Sequence, residues 1–209
     1  MNDLKNKKND FRWYQDVIKR LIDIVVSVVA IILCGIPMLI IATCIKVEDP
    51  HDKIWFRQQR VGKNDVLFTI YKFRSMTTSA PHQVATNDFT DSYAYITRVG
   101  RILRKTSLDE LPQLFNVLQG KMSIVGPRPL ISAEKRVLKL RDQLGATAVL
   151  PGITGLAQVH GRDELDDTKK AEYDSEYAHH VSFHLDFWIF WKTIFIVLQG
   201  KGIQDGKKS

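Results

Sequence analysis

Residues Ile24 to Ile45 form an apolar run without one charged side chain. As a helix, the run would reach about 33 Å, close to the ~30 Å hydrocarbon core of a bilayer. Pro37 sits inside it and lacks a backbone N–H, so a kink or break is expected there. Cut at Pro37, the first piece is about 20 Å long and the second shorter, and neither spans the core alone. Both flanks are basic: Lys5, Lys7, Lys8, Arg12, Lys19 and Arg20 lie upstream, and Lys46, Lys53, Arg57, Arg60 and Lys63 downstream. Lys and Arg mark the cytoplasmic side of a membrane segment. A re-entrant helix–break–helix satisfies all three observations, and an ordinary spanning helix with a tolerated proline is the alternative. The run is long for a signal peptide and no small-x-small cleavage site follows it.

A second apolar stretch, Phe183 to Leu198, is rich in Phe and Trp, with Asp186 and Lys192 as its only charges. It is too short to span and reads as an amphipathic helix at a membrane interface, or else as a core helix. Between the two stretches, Ile54–Phe56 and Val66–Tyr71 have strand character and are separated by Gly62-Lys63-Asn64-Asp65, which predicts a β-hairpin. Residues 77–91 are polar and read as a loop. Helical spacing runs from Arg98 to Leu118, interrupted by Pro112, and charged helices are expected over Ile131–Leu144 and Asp163–His180. The pattern divides the chain into a basic N-terminal segment (1–20), a re-entrant membrane helix broken at Pro37 (21–46) and a cytoplasmic domain (47–209) that includes the interfacial helix 183–198. The expected fold class is α/β in the α+β sense, mostly helical.

Composition narrows the chemistry. A chain of 209 residues, 44% hydrophobic, holds one domain with a real core and a short appendage. Its net charge of +7 suits phosphate-bearing partners without choosing between nucleic acid, anionic lipid and nucleotide. The two cysteines, Cys34 and Cys44, both lie in the apolar run, which excludes a disulfide framework or a zinc site.

The candidate chemistry centres on Asp109-Glu110. Ser107-Leu108-Asp109-Glu110 also fits a helix capping box, in which Glu110 reaches back to the serine. Arg98, Arg101, Arg104 and Lys105 precede the pair and Arg128 follows it. Neighbouring cations favour an ionised carboxylate, and a carboxylate nucleophile that forms an acyl-phosphate is an established solution. Arg128, between Pro127 and Pro129, is presented at low entropic cost as a planar donor for phosphate. Lys72 and Arg74 share a face by strand alternation, opposite Phe73, and either line a phosphate site or form a solvated face. Gly152, Gly155 and Gly161 surround Gln158, His160 and Arg162, and a loop with three glycines permits close backbone approach to a ligand. No P-loop, His-Glu-x-x-His or Gly-x-Ser-x-Gly motif occurs.

KFRSM at 72–76, LRKTSLDELPQLFNVLQGKMSIVGPRP at 103–129 and PGITGLAQVHGR at 151–162 strongly resemble the bacterial sugar transferase family, the monotopic polyprenyl-phosphate phosphoglycosyl transferases. The resemblance covers the chain from about Phe11 to the C-terminal helix and suggests the minimal catalytic form. It implies transfer of a sugar-phosphate from a UDP-sugar to a polyprenyl (undecaprenyl) phosphate at the cytoplasmic face of a bacterial cell membrane, initiating exopolysaccharide, capsule or glycoconjugate assembly, with no nucleic-acid partner. Asp109 would be the nucleophile and would hold Mg2+ with Glu110; Arg104 and Arg128 would hold phosphate with Lys72 nearby, and Gln158 and Arg162 would face the nucleotide. The family's helix breaks at a proline matching Pro37, though Ile36 replaces the usual serine before it. Leu156 and His160 replace an expected aromatic and asparagine. Two other classes compete: a membrane phosphatase or pyrophosphatase using the same carboxylate, and a non-catalytic adaptor for anionic lipid. The sequence carries no signal for the sugar or the oligomeric state.

Overall fold

The structure is a computed structural model and describes residues 13–80, 92–161 and 164–199. A π-helical turn, Tyr14–Ile18, runs directly into helix α1, Lys19–Glu48, the one helix among the described residues long and apolar enough to cross a membrane. α1 continues through Pro37 without interruption, although the proline removes the donor for the carbonyl of Leu33. Its buried residues are Asp23, Ser27, Met38, Ile41 and Ile45, spaced as one helical stripe. Val25, Val29, Ile32, Leu33, Ile36 and Leu39 form the exposed opposite face.

Both ends of α1 are tied to the body of the protein. Near its start, Arg20 donates to the carbonyls of Val117 (2.6 Å) and Leu118 (2.9 Å), and Asp23 accepts from the amide of Ile124 (3.0 Å). At its end, Glu48 accepts from the amides of Arg98 (2.7 Å) and Val99 (3.2 Å). A cation thus meets the carboxyl end of one helix and an anion the amino end of another, as the backbone dipoles favour. Met38, Ile41 and Ile45 complete the attachment by packing with Phe73 and Leu103.

The hairpin forms as expected. Strand β1, Trp55–Val61, pairs antiparallel with β2, Leu67–Phe73, in the register Phe56↔Lys72, Gln58↔Ile70 and Arg60↔Phe68. The turn uses Asn64 and Asp65 at positive φ, a conformation these residue types tolerate best after glycine. The outer edge of β2 is covered by one side chain: fully buried Asn116 accepts from the amide of Tyr71 (3.0 Å) and donates to the carbonyl of Thr69 (2.7 Å). An amide side chain thereby takes the place of a third strand.

Helix α2, Arg98–Thr106, starts at Thr97, whose hydroxyl accepts from the amide of Gly100. It ends at Ser107 in the left-handed conformation. A 3-10 turn, Leu108–Glu110, follows, and then α3, Gln113–Leu118, after Pro112. The single helical stretch expected over 98–118 is therefore two helices with the acidic pair in the joint. Strand β3, Ser123–Val125, is followed by α4, Lys135–Gln143, and by β4, Gly152–Thr154, which pairs parallel with β3. α5, Leu156–Val159, α6, Asp167–His179, and α7, Phe183–Gln199, complete the chain. The described residues are mostly helical with two small two-stranded sheets.

α7 sits where the interfacial helix was expected. Phe183, Phe187, Trp191, Phe195 and Leu198 are exposed along one side, while Asp186 and Ile189 are buried on the other. Asp186 accepts from Lys19 (2.7 Å), Tyr14 (2.9 Å) and Tyr177 (2.7 Å), which joins α7 to the start of α1. Burial first, then the Asp186 carboxylate, pushes the Tyr177 hydroxyl well up, so it stays a proton donor.

The glycines of the 151–162 segment serve this packing. A Cβ on Gly152 or Gly155 would collide with the backbone of Gly126, and one on Gly126 with the carbonyl of Leu150. The expected close approach is of backbone to backbone, across the β3–β4 pair. Gly35 in α1 has open space around its Cβ position. Gly126→Ala is therefore expected to destabilise by about 1–3 kcal/mol through overpacking. In detergent-solubilised protein its Tm should drop by roughly 3–10 °C, while Gly35→Ala leaves Tm unchanged or higher; an equal response of the two would contradict the packing argument.

Candidate active site

Strand alternation directs Arg60 and Lys72 to the inner face of the hairpin, where they line an open cleft with Ile70. Across from them stand Glu110 and Gln113, then Arg128 and Pro129, with Gly152, Ile153 and Gln158 from β4 and α5. Lys72 Nζ lies 2.8 Å from Glu110 Oε1, and both side chains are largely buried. Burial is the main influence on the Lys72 ammonium and pushes it below its ordinary value. Glu110 and Asp109 oppose that, and Arg128 and Arg60 reinforce it. Burial, assisted by Arg128, pushes Arg60 down to about 10, so it remains charged at neutral pH.

Arg128 is aimed by its backbone. The segment 126–130 contains two prolines without N–H groups, and every carbonyl from 127 to 130 finds a donor elsewhere. Pro127 accepts from the amide of Gly152 (2.9 Å), Arg128 from Arg141 Nη1 (2.8 Å), Pro129 from Arg60 Nη1 (3.1 Å) and Leu130 from the amide of Val61 (2.8 Å). Gly126 donates to the carbonyl of Thr154 (2.8 Å). A loop so fully bonded has little freedom, and its one long cationic side chain faces the cleft.

The capping-box alternative does not survive. Ser107 makes no side-chain cap: it closes α2, its amide donating toward the carbonyls of Arg104 and Leu103. Glu110 turns instead to Lys72. Asp109, 8% exposed, sits beside Glu110 and close enough for its charge to act on Lys72. Ser107 itself is a non-glycine residue at φ +56°, two positions from Asp109. Such strain tends to collect at functional sites.

The other expected site residues divide. Lys72, Arg128 and Gln158 line the cleft with Glu110. Gln158 Nε2 donates to the carbonyl of Ile153 (2.9 Å), while its buried Oε1 has no hydrogen-bond partner among the described residues and is an acceptor available to a ligand. Arg74 lies elsewhere: it is buried against Asp49 (3.0 Å) and Asp52 (2.7 Å) at the exit of α1. The turn after β2 ends the alternation that placed it beside Lys72. Arg104 is half-buried with its guanidinium against the sulfur of Met76, and it does not line the cleft. Arg162 lies outside the described residues. Arg60 is the residue that sequence reasoning missed; its position opposite Phe68 in the hairpin register was the available signal.

Asp109 and Glu110 are the carboxylates that could hold a metal. Among the described residues no group of three His, Cys, Asp or Glu side chains comes together. Two carboxylates without imidazole or thiolate suit Mg2+, which keeps several waters and takes further ligands from phosphate. They do not make a zinc site.

A family described as "Bacterial sugar transferase" matches residues 14–200. An "Uncharacterized sugar transferase EpsL" of Bacillus subtilis is 38% identical over 192 residues, covering 90% of this chain and 91% of the relative. A "UDP-N-acetylgalactosamine-undecaprenyl-phosphate N-acetylgalactosaminephosphotransferase" of Aeromonas hydrophila is 43% identical over 88% of this chain and 44% of its own length. A "UDP-glucose:undecaprenyl-phosphate glucose-1-phosphate transferase" of Klebsiella pneumoniae is 43% identical over 86% of this chain and 40% of its own. The chain thus spans nearly all of the first relative and less than half of the other two.

Because Lys72 is pushed below its ordinary 10.5, the cleft loses this cation at lower pH than a free lysine would. Affinity for inorganic pyrophosphate, measured by calorimetry, should decline as pH rises through that lowered value, by up to about tenfold per pH unit. Lys72→Arg should move the decline up to the range in which Arg60, at about 10, loses its charge; an unchanged pH profile in that variant would show that Lys72 does not hold the anion.

Proposed function

The chain belongs to the bacterial sugar transferase family, and on that premise we propose that it transfers a sugar-1-phosphate from a UDP-sugar to undecaprenyl phosphate, or a similar polyprenyl phosphate, with release of UMP. The observation that carries the proposal is the gathering of Arg60, Lys72 and Arg128 in one cleft beside Asp109-Glu110. A cleft with three cations recognises clustered phosphates, and the adjacent carboxylate is a nucleophile suited to them. The names of the relatives from Aeromonas and Klebsiella fit the same reaction class with two different sugars.

In the proposed reaction a carboxylate oxygen of Asp109 attacks the β-phosphorus of the donor. The bond from that phosphorus to the bridging oxygen breaks, and UMP departs with the electron pair. An oxygen of the lipid phosphate then attacks the same phosphorus, forming the lipid diphosphate sugar and restoring the Asp109 carboxylate. Arg60, Lys72 and Arg128 stabilise the charge that develops on the phosphoryl oxygens. Glu110 keeps Lys72 charged against the penalty of burial. Mg2+, held by Asp109 and Glu110, would neutralise charge on the diphosphate. Gln158 is assigned to the nucleotide side, where its buried oxygen can accept from a base or ribose group.

Membrane attachment belongs to the same reading. The exposed faces of α1 and α7 contact lipid, which brings the cleft to the layer where a lipid phosphate resides. A straight helix of 30 residues is about 45 Å long, so if it crossed the bilayer its ends would lie on opposite sides. Both ends of α1 bind one polar body, through Arg20 and Glu48, which favours a helix that enters and leaves by one face. The basic residues on both sides of the apolar run assign that face to the cytoplasm of a bacterial cell.

Purified protein incubated with Mg2+ and labelled UDP-sugars should release UMP continuously and form a labelled lipid only when polyprenyl phosphate is present; without it, UMP release should stop after a single turnover. Asp109→Asn should lower turnover by at least about a thousandfold, as loss of a nucleophile does. Sugar-phosphate released into water without lipid would indicate a phosphatase or pyrophosphatase. Absence of turnover across a panel of donors would indicate a lipid-binding adaptor.

A further inference from the structure

Arg141 and Asp174 lie on α4 and α6, outside the cleft, and belong to none of the motifs described above. Arg141 is 7% exposed and Asp174 1%. The guanidinium places both Nε (2.8 Å) and Nη2 on Asp174 Oδ2. Its remaining terminal nitrogen, Nη1, donates to the backbone carbonyl of Arg128 at 2.8 Å. That carbonyl stands between two prolines in a segment whose neighbouring acceptors are already taken by Gly152 and Arg60. We propose that Arg141 and Asp174 form a positioning pair that fixes the backbone at Arg128 and thereby aims its guanidinium into the cleft. The proposal rests on the reading of Arg128 as a ligand for the donor diphosphate.

The geometry calls for arginine. One planar group makes three directed bonds, two to the carboxylate oxygen and one to the carbonyl; a lysine ammonium cannot reproduce that fork. Stability alone is a weak reason to keep such a pair, since a buried ion pair often contributes no more than an apolar replacement of similar volume. What the pair supplies that an apolar replacement cannot is a donor at the Arg128 carbonyl, held at a fixed angle. Without it the partly buried carbonyl loses this donor, and the loop shifts to reach water or another one. A displacement of about 1 Å at Arg128 is enough to weaken a diphosphate contact about a hundredfold in rate.

A double-mutant cycle on the full chain in detergent tests this. In the wild-type background Arg141→Lys should lower kcat/KM for the UDP-sugar about tenfold; in the Arg128→Ala background the same change should lower it less than twofold, because the group it positions is gone. Equal factors in both backgrounds, or no effect in the first, would overturn the proposal. Should Arg141→Lys fail to fold, Asp174→Asn, which keeps the side-chain volume, passes through the same cycle with the same expected pattern. If Arg128→Ala alone leaves kcat/KM unchanged, both the diphosphate role of Arg128 and the positioning pair are overturned. A large Arg128→Ala loss with additive cycles overturns only the positioning pair.

Discussion

Arg60, Lys72 and Arg128 share one cleft, and like charges in close quarters repel. At 4 Å two unit charges repel by about 4 kcal/mol under the effective dielectric of a protein surface. Burial is the larger penalty and acts with the same sign, and the two together push Arg60 and Lys72 down. Glu110, at 2.8 Å from Lys72, and the Asp109 carboxylate beside it offset part of this. The rest is borne by the scaffold. The hairpin carries two cations on one face, the Pro-Arg-Pro segment carries the third, and the 3-10 turn after Ser107 brings Glu110 into the same cleft with Asp109 beside it. An anion entering this cleft would relieve the repulsion, and the proposed binding of phosphate draws on that relief.

The scaffold achieves this with short elements joined at their ends. Asn116 closes the edge of β2, Arg20 meets the carboxyl end of α3, and Glu48 meets the amino end of α2. Each is a single polar side chain satisfying backbone groups that a short element leaves unpaired. The apolar helix α1 supplies two of the three. It is therefore part of the catalytic body as well as a membrane element, and Met38, Ile41 and Ile45 place its second half in the same core as Phe73, the neighbour of Lys72. A change in how α1 sits in lipid would reach the cleft through one strand.

Much of this was legible in the sequence, and the gaps have physical causes. The hairpin, the apolar helix and the aromatic helix α7 follow from periodicity and turn residues. Strands β3 and β4 were not visible, because three residues are too few for alternation to show and their pairing joins positions 123 and 152. The acidic pair was recognisable, and Arg98, Arg101, Arg104 and Lys105 were the cations that the sequence set beside it. None of them lines the cleft, and the facing cations come from residues 60, 72 and 128. Strand register decides that for Arg60 and Lys72, and a loop held by remote donors decides it for Arg128. Arg74 shows the converse: two residues beyond Lys72, it fell on the same predicted face, yet it binds Asp49 and Asp52 once the strand has ended. Family motifs marked Asp109 and Arg128, whereas Arg60 and Arg141 emerge only from the packing.

In the proposed reaction this charge arrangement lets Asp109 carry a phosphosugar. The most direct measurement is the mass of the protein after exposure to UDP-sugar and Mg2+ in the absence of lipid, with peptide mapping of any adduct. The proposed reaction predicts an added sugar-phosphate on the peptide containing Asp109, discharged when polyprenyl phosphate is supplied. Release of UMP on lipid addition without any such adduct, or an adduct on another side chain, would contradict it.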